Sequence, residues 1–138
     1  ENAIINHILN RKIEYCNNNG LSIKCMVCGE LKGVSDYDIH IILENLLDNA
    51  IEAALKAVNK RISVDIYSDE QAMVIKISNT TEENVLKNNP EMNTTKKDNS
   101  YHGYGIRNVS ELVKKNNGTI EYIQLGVDIV QCRVLLML

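Results

Sequence analysis

One stretch of the chain, DIHIILENLLDNAIEAALKAV (38–58), constrains the fold more than any other. Its apolar residues cover most of a helical surface, so a helix predicted from about Asp36 to Val58 must be largely buried. Ser35 or Asp36 is a suitable N-cap for it. The other elements of the chain are therefore interpreted around one long, buried helix.

Periodicity predicts the remaining elements. Apolar residues at helical spacing indicate a first helix that ends near Asn19-Gly20, and residues 21–28 form a strand. A strand pair joined near 68–71 follows, then a helix from Tyr104 to Asn116 that ends at Gly118, and strands near 119–125 and 128–137. This order predicts an α+β fold over 1–138, a two-layer sandwich with a mixed, mostly antiparallel sheet and helices packed on one face.

Composition excludes several classes of function. Apolar residues make up 44% of the chain and charged residues 24%, which is typical of a globular domain. The net charge of -3 provides no basic footprint for nucleic acid or for an anionic membrane surface. No apolar run is long enough to cross a bilayer. Because the chain begins with Glu1 and not with Met, we expect it to be a piece of a longer protein.

The cysteines include one C-x-x-C motif, Cys25 and Cys28. A zinc site needs a second pair of ligands at suitable spacing, and the sequence has none. A redox site is the alternative, but the surrounding LSIKCMVCGE is typical of an apolar strand. We therefore interpret the cysteines as small buried hydrophobic residues in a reducing compartment.

A polar stripe interrupts the long helix. Asn45, Asn49 and Glu52 share one face at i, i+4 and i+7, with Asp48 beside them. One interpretation is a solvated helix face. The other is a polar site, because asparagine is a poor helix former and its carbonyl oxygen suits a hard cation such as Mg²⁺.

Asn79 ends an alternating strand on the same side as Met73, Ile75 and Ile77, so it points towards the helices. It either caps a turn or accepts a hydrogen bond from a planar polar ligand.

Two glycines, Gly103 and Gly105, lie where the next helix is predicted to begin. They form either a tight turn or a site where phosphate meets the free N–H groups of a helix N-terminus. The polar segment over 80–102 precedes them and is long enough to act as a lid. A helix face suited to Mg²⁺, an amide, a lid and this turn are together what a nucleoside triphosphate would use.

These motifs resemble a known family of ATP-binding domains. LENLLDNAIEAA (43–54) looks like the N-box of the gyrase, Hsp90, histidine-kinase and MutL superfamily, and HGYGIRNV (102–109) looks like its second glycine box. ISNTTEEN (77–84) resembles the Asn-led segment of the accessory-gene-regulator-type quorum-sensing histidine kinases, which replaces an Asp-led first glycine box. The resemblance implies the Bergerat-type ATP-binding fold, with 1–20 as its opening helix and 80–102 as its ATP lid.

The resemblance also implies residue roles. Asn49 matches the Mg²⁺ ligand, and Asn45 matches a position near the phosphates where ATP-hydrolysing relatives carry a glutamate base. Glu44 is an adjacent catalytic candidate, although one helical step turns it about 100° from Asn45. Asn79 takes the place of the adenine-reading aspartate. The other implied nucleotide-binding residues are Lys96, Lys97, His102, Gly103, Tyr104, Gly105, Ile106 and Arg107.

The implied reaction transfers the γ-phosphoryl group of ATP to a histidine, with ATP and Mg²⁺ as cofactors. His7, His40 and His102 are the histidines of the chain, and none has the acidic context of the family's phosphoacceptor. We therefore expect the acceptor on upstream dimerisation helices, a response regulator as the next partner, a homodimeric full-length protein and no nucleic acid. This domain would be the cytoplasmic part of an integral membrane sensor.

Three alternatives remain open. The first is a degenerate, non-catalytic module of the same fold, which the missing first glycine box favours. The second is a serine kinase of the anti-sigma type, which differs in its substrate. The third is a simple α+β binding domain in which the motifs are coincidental.

Overall fold

A computed structural model of the chain describes residues 2–82 and 100–138, with the side chains of the second range from residue 108 onward. Three helices and five strands lie within these residues. In chain order they are α1 (Ala3–Asn18), β1 (Ser22–Cys28), α2 (Asp36–Leu55), β2 (Arg61–Ser68), β3 (Ala72–Thr80), α3 (Ser100–Lys115), β4 (Thr119–Gly126) and β5 (Ile129–Met137).

The five strands form one mixed sheet in the order β1-β2-β3-β5-β4. Strands β1 and β2 are parallel, and the other three pairings are antiparallel. Parallel neighbours need a crossover connection, and α2 provides it between β1 and β2. The predicted mixed, mostly antiparallel sheet is confirmed.

All three helices contact the sheet, and alternation along the strands decides which face they cover. Ile62 and Val64 of β2, Ile75 of β3 and Val134 of β5 are buried, whereas their neighbours along each strand are more exposed. The buried stripe of α2 packs against this face. The predicted two-layer sandwich is therefore confirmed, and its core lies between the sheet and the helices.

Helix boundaries follow local capping chemistry. The Asn2 side chain accepts a hydrogen bond from the Ile5 N–H at the start of α1, and Ser35 caps α2 in the same way. Gly20 adopts a φ of +74°, which allows the chain to turn back after α1, as predicted. Helix α2 ends at Leu55, three residues before the predicted end at Val58, because Lys56 already acts as its C-cap.

The end of α3 differs in detail from the prediction. Asn117, not Gly118, takes the left-handed conformation, with a φ of +53°. Gly118 is needed for a different reason: a Cβ atom there would overlap the carbonyl oxygen of Leu135 in β5. Its N–H donates to the Val113 carbonyl at 2.9 Å, which ends the helix.

The C-x-x-C motif is split between the two faces of β1, because side chains alternate along a strand. Cys16 and Cys132 are buried as expected, but Cys25 is only half-buried, and Cys28 is exposed because it lies on the sheet face opposite the helices, next to exposed Tyr67. Burial, with smaller contributions from Cys16 and Asp65, raises the pKa of the Cys25 thiol to about 11. This arrangement disfavours a redox pair.

Within the described residues, no helix is long and apolar enough to cross a bilayer.

Candidate functional site

The polar stripe of α2 lies at the boundary between core and solvent. Asn45 and Asn49 are both half-buried, whereas Leu46 and Leu47 beside them are buried. The Asn45 Nδ2 donates a hydrogen bond to the Ile41 carbonyl at 2.8 Å. Because the amide nitrogen is used in this way, the Asn45 Oδ1 is the atom that points away from the helix backbone.

A buried contact, here called the anchor, joins Asp38 at the start of α2 to the end of α3, the helix that packs against α2. Asp38 is only 2% exposed and accepts hydrogen bonds from Asn116 Nδ2 at 3.1 Å and from Lys115 Nζ, whose two distances are 3.2 and 3.4 Å. Burial alone would raise the pKa of the Asp38 carboxyl, but these hydrogen bonds and the Lys115 charge outweigh it and hold the pKa below its usual range.

This anchor also sets the direction of α3. Asp38 lies in the first turn of α2 and its partners lie at the end of α3, so the two packed helices run in opposite directions. Asn45 and Asn49 follow Asp38 by 7 and 11 residues, which returns them to the same face within about 20°. They lie about 10 and 16 Å further along α2, so Asn45 lies beside the middle of α3 and Asn49 lies beside its N-terminal half.

The two glycines belong to that half of α3. The helix begins at Ser100, four residues before the predicted start at Tyr104, so Gly103 and Gly105 lie in its first turns and not in a preceding turn. Glycine weakens a helix but does not forbid it, at a cost of about 1 kcal/mol relative to alanine. The prediction of a glycine turn that opens the helix is therefore wrong for the backbone described here.

Several predicted residues lie outside what the structure describes. Residues 83–99 are not described, and they include Lys96, Lys97 and most of the predicted lid. At the ends of the lid prediction, Thr80 belongs to β3 and residues 100–102 belong to α3. The side chains not described in α3 include His102, Tyr104, Ile106 and Arg107.

Asn79 lies where the alternation of β3 predicts it. It pairs with Ile62 of β2 and Val130 of β5, both buried on the face that the helices cover. Its Nδ2 donates to the Thr80 carbonyl at 3.0 Å. Thr80 is itself buried and accepts a hydrogen bond from the Arg61 N–H at 3.0 Å, which holds the end of β3 against the start of β2.

These elements meet at one end of the molecule. Five residues separate the end of α2 from the start of β2, which is paired with the end of β3 that carries Asn79. Asn49 lies in the half of α2 that leads to the same end, and so does the start of α3. The fold therefore brings Asn49, Asn79 and the two glycines to one end, although they are far apart in sequence.

Glu44 faces a different neighbour. Its carboxylate forms ion pairs with Arg11 and, at 2.8 Å, with Lys12 Nζ, both from α1. Lys12 Nζ also contacts Asp48 Oδ1 at 2.6 Å. The helical step of about 100° that separates Glu44 from Asn45 thus turns the carboxylate to the α1 side.

The side chains present fit a Mg²⁺ ion. Asn45 and Asn49 provide amide oxygens, which are hard ligands, and Mg²⁺ usually keeps waters and substrate phosphates as its other ligands. Among residues 2–82 and 108–138, no group of three or more His, Cys, Asp or Glu side chains could hold a metal. Amide oxygens are donors of the kind that Mg²⁺ takes together with the phosphates of a nucleotide.

Sequence reasoning missed Asp38 and Lys12. A signal for Lys12 exists, because it occupies an otherwise apolar stripe of α1 with Ile5, Ile8 and Cys16. A lysine at such a position needs an acidic partner, but the partner's identity lies elsewhere in the chain.

Comparison with known proteins adds a family and a set of similar folds. A family model described as the GHKL domain matches residues 34–135. The histidine kinase AdeS of Acinetobacter baumannii is similar in structure, with a TM-score of 0.69 and 17% identity, over 98% of this chain and 63% of that chain. The catalytic domain of histidine kinase ThkA gives a TM-score of 0.74 and 16% identity, over 97% and 91%.

A structure of full-length ShkA in complex with AMPPNP gives a TM-score of 0.72 and 14% identity, over 96% of this chain and 29% of that chain. The chain thus spans less than two thirds of AdeS and ShkA, but nearly all of the ThkA catalytic domain. No curated protein matches it in sequence. At these identities, the likeness to solved structures establishes the fold.

Proposed function

The chain belongs to the GHKL domain family, and from that premise we propose that it is the ATP-binding catalytic domain of a sensor histidine kinase. The observation that carries the proposal is the meeting of α2, β3 and α3 at one end of the molecule. There an amide pair on α2, the Asn79 amide on the sheet and the glycine-containing start of α3 flank one region. The fold of the chain is that of histidine kinase catalytic domains.

In this proposal each group has one task. Asn49 would hold Mg²⁺ through its amide oxygen, and Asn45 Oδ1 would orient the phosphates beside it. Asn79 accepts from the adenine amine. The N-terminal half of α3, with Gly103 and Gly105, provides backbone and helix dipole for the phosphates. The cations that neutralise them are Lys96, Lys97 and Arg107, with contacts from His102, Tyr104 and Ile106.

The proposed reaction is transfer of the γ-phosphoryl group to a histidine. Bound with the nucleotide, Mg²⁺ would supply positive charge against the phosphates, and the residues of this chain would position the phosphates without activating a water to attack them. Asn45 in place of a glutamate base suits this task, because an amide cannot take a proton from water. Glu44 is held by two cations of α1, so we assign it to the support of α2 in preference to catalysis.

The wider setting is also part of the proposal. The acceptor histidine lies on dimerisation helices of a longer protein, and a response regulator receives the phosphoryl group. We place that protein among membrane sensors of the accessory-gene-regulator type, with this domain in the cytoplasm. The Asn-led ISNTTEEN segment supports this subgroup.

A non-catalytic module of the same fold is the less favoured alternative. The replacement of the first glycine box supports it, whereas the paired amides of α2 support nucleotide binding. The serine-kinase alternative shares the site and differs only in its acceptor. Phosphoryl transfer to a histidine of a supplied acceptor-helix fragment would favour the histidine kinase over both alternatives.

Calorimetric titration with ADP and with AMPPNP, each with and without Mg²⁺, tests the proposal. We expect saturable binding that Mg²⁺ tightens. In Asn49→Ala, loss of a metal ligand should weaken binding in Mg²⁺ about tenfold, while the far-UV circular dichroism stays unchanged. Asn10→Ala, an exposed asparagine of α1, is the matched control and should bind as wild type.

Absence of binding at millimolar nucleotide would reject the ATP site. Unchanged affinity of Asn49→Ala in Mg²⁺ would reject the metal assignment while leaving nucleotide binding in place.

A further inference from the structure

Lys12 is a buried cation in a position where an apolar residue is expected. It lies on the stripe of α1 that faces the core and is 8% exposed. Burial of an ammonium group is costly unless it is paired. Here Lys12 Nζ contacts Glu44 Oε2 at 2.8 Å and Asp48 Oδ1 at 2.6 Å, so one ammonium bridges two carboxylates of α2.

The two carboxylates that Lys12 contacts lie next to the paired asparagines of α2. Glu44 and Asp48 lie one turn apart on α2, and each directly precedes one of the paired asparagines, Asn45 and Asn49. Two contacts on successive turns resist rotation of α2 about its own axis. A side chain about 6 Å from a helix axis moves by about 1 Å for each 10° of rotation. A displacement of that size is enough to impair a ligand site.

Arg11 offers an internal contrast. It also pairs with Glu44, but its side chain is 49% exposed, and within the described residues it forms no ion pair with Asp48. It therefore holds α2 at one turn only and from the solvent side. An exposed ion pair of this kind contributes little to the free energy of unfolding.

We propose that Lys12 is a positioning residue that sets the rotation of α2 and thereby the placement of the Asn45–Asn49 pair towards Mg²⁺ and the nucleotide phosphates. This inference rests on the proposed function. Lys12 lies on the α1 side of α2, where it contacts Glu44 and Asp48. It acts through Glu44 and Asp48. The apolar stripe of α2 sets a different quantity, the distance between α2 and the sheet.

The test compares Lys12→Met, which keeps an unbranched side chain of nearly the same length and removes its charge, with Lys12→Arg and with the control Arg11→Met. For each protein, calorimetry measures the Kd of ADP with and without Mg²⁺. The Mg²⁺ effect is the ratio of the Kd without Mg²⁺ to the Kd with Mg²⁺. In Lys12→Met we expect this ratio to fall about 3- to 10-fold, while the Kd without Mg²⁺ stays within about twofold of the wild-type value. Lys12→Arg should restore most of the Mg²⁺ effect, and Arg11→Met should match wild type.

A purely structural role for Lys12 would lower the melting temperature without a change in the ratio of the two Kd values. If Lys12→Met does not fold, Asp48→Asn gives the same test from the exposed partner and should reduce the ratio in the same direction. An unchanged ratio in the folded variant, or equal changes in Lys12→Met and Arg11→Met, would overturn the assignment of Lys12. Wild type without any Mg²⁺ effect would instead reject the proposed function itself.

Discussion

Substitution of Asp38 by asparagine tests how the ends of α2 and α3 are held together. The carboxylate is 2% exposed and accepts from Asn116 Nδ2 at 3.1 Å and from Lys115 Nζ at 3.2 Å. It also lies in the first turn of α2, where a negative charge is favourable. Asp38→Asn keeps the shape of the side chain and removes its charge.

The expected magnitude follows from these contacts. A hydrogen bond to a charged group contributes about 1.5–3 kcal/mol, and a charge in the first helical turn about 0.3–1 kcal/mol. The Lys115 side chain is 64% exposed, so solvent screens its ion pair, which contributes less than about 1 kcal/mol. The substitution also relieves the cost of burying a charge. We therefore expect a loss of about 2 kcal/mol in the free energy of unfolding at pH 7.

The pH dependence gives a sharper test. The folded-state pKa of Asp38 is lowered, so its stabilisation is fully present above the pKa of the unfolded chain, near 4, and is lost as the pH falls through the folded value. Urea unfolding of wild type and Asp38→Asn, followed by far-UV circular dichroism at pH 7 and at pH 3, measures both differences. The difference between the two proteins should shrink at pH 3.

Asp36→Asn is the matched control. Asp36 lies in the same first turn but is exposed, and should change stability much less than Asp38. An equal effect of the two substitutions, or a difference for Asp38→Asn that is the same at pH 3 and pH 7, would refute the argument that a buried charged anchor joins the two helices.

Two further predictions concern backbone contact and thiol reactivity. Gly118→Ala should lower the free energy of unfolding by about 2 kcal/mol or more, because the added Cβ overlaps the Leu135 carbonyl. Gly126→Ala is the control, since a Cβ there meets nothing within 4 Å. Equal urea midpoints for the two variants would contradict this prediction. At pH 8, iodoacetamide should label exposed Cys28 well before half-buried Cys25, because burial raises the pKa of the Cys25 thiol to about 11. Peptide mass spectrometry measures the two rates, and equal labelling would contradict the burial of Cys25.

Much of the candidate site was predictable because its signals are local. The spacing of Asn45 and Asn49 places them on one helix face, and the alternation of β3 places Asn79 on the core side. Both placements are confirmed. The start of α3 was predicted too late, because a glycine pair predicts a turn by propensity, while a helix can include it at modest cost.

The sequence alone determined which elements form and which face of each is apolar, since helical and strand periods are properties of neighbouring residues. It did not determine what lies against the polar faces. Only the tertiary structure turned Glu44 towards α1, bridged Lys12 to an aspartate 36 residues away and joined Asp38 to an asparagine 78 residues away. Such partners are chosen by the packing of elements that are distant along the chain, and no local period records which of them will meet.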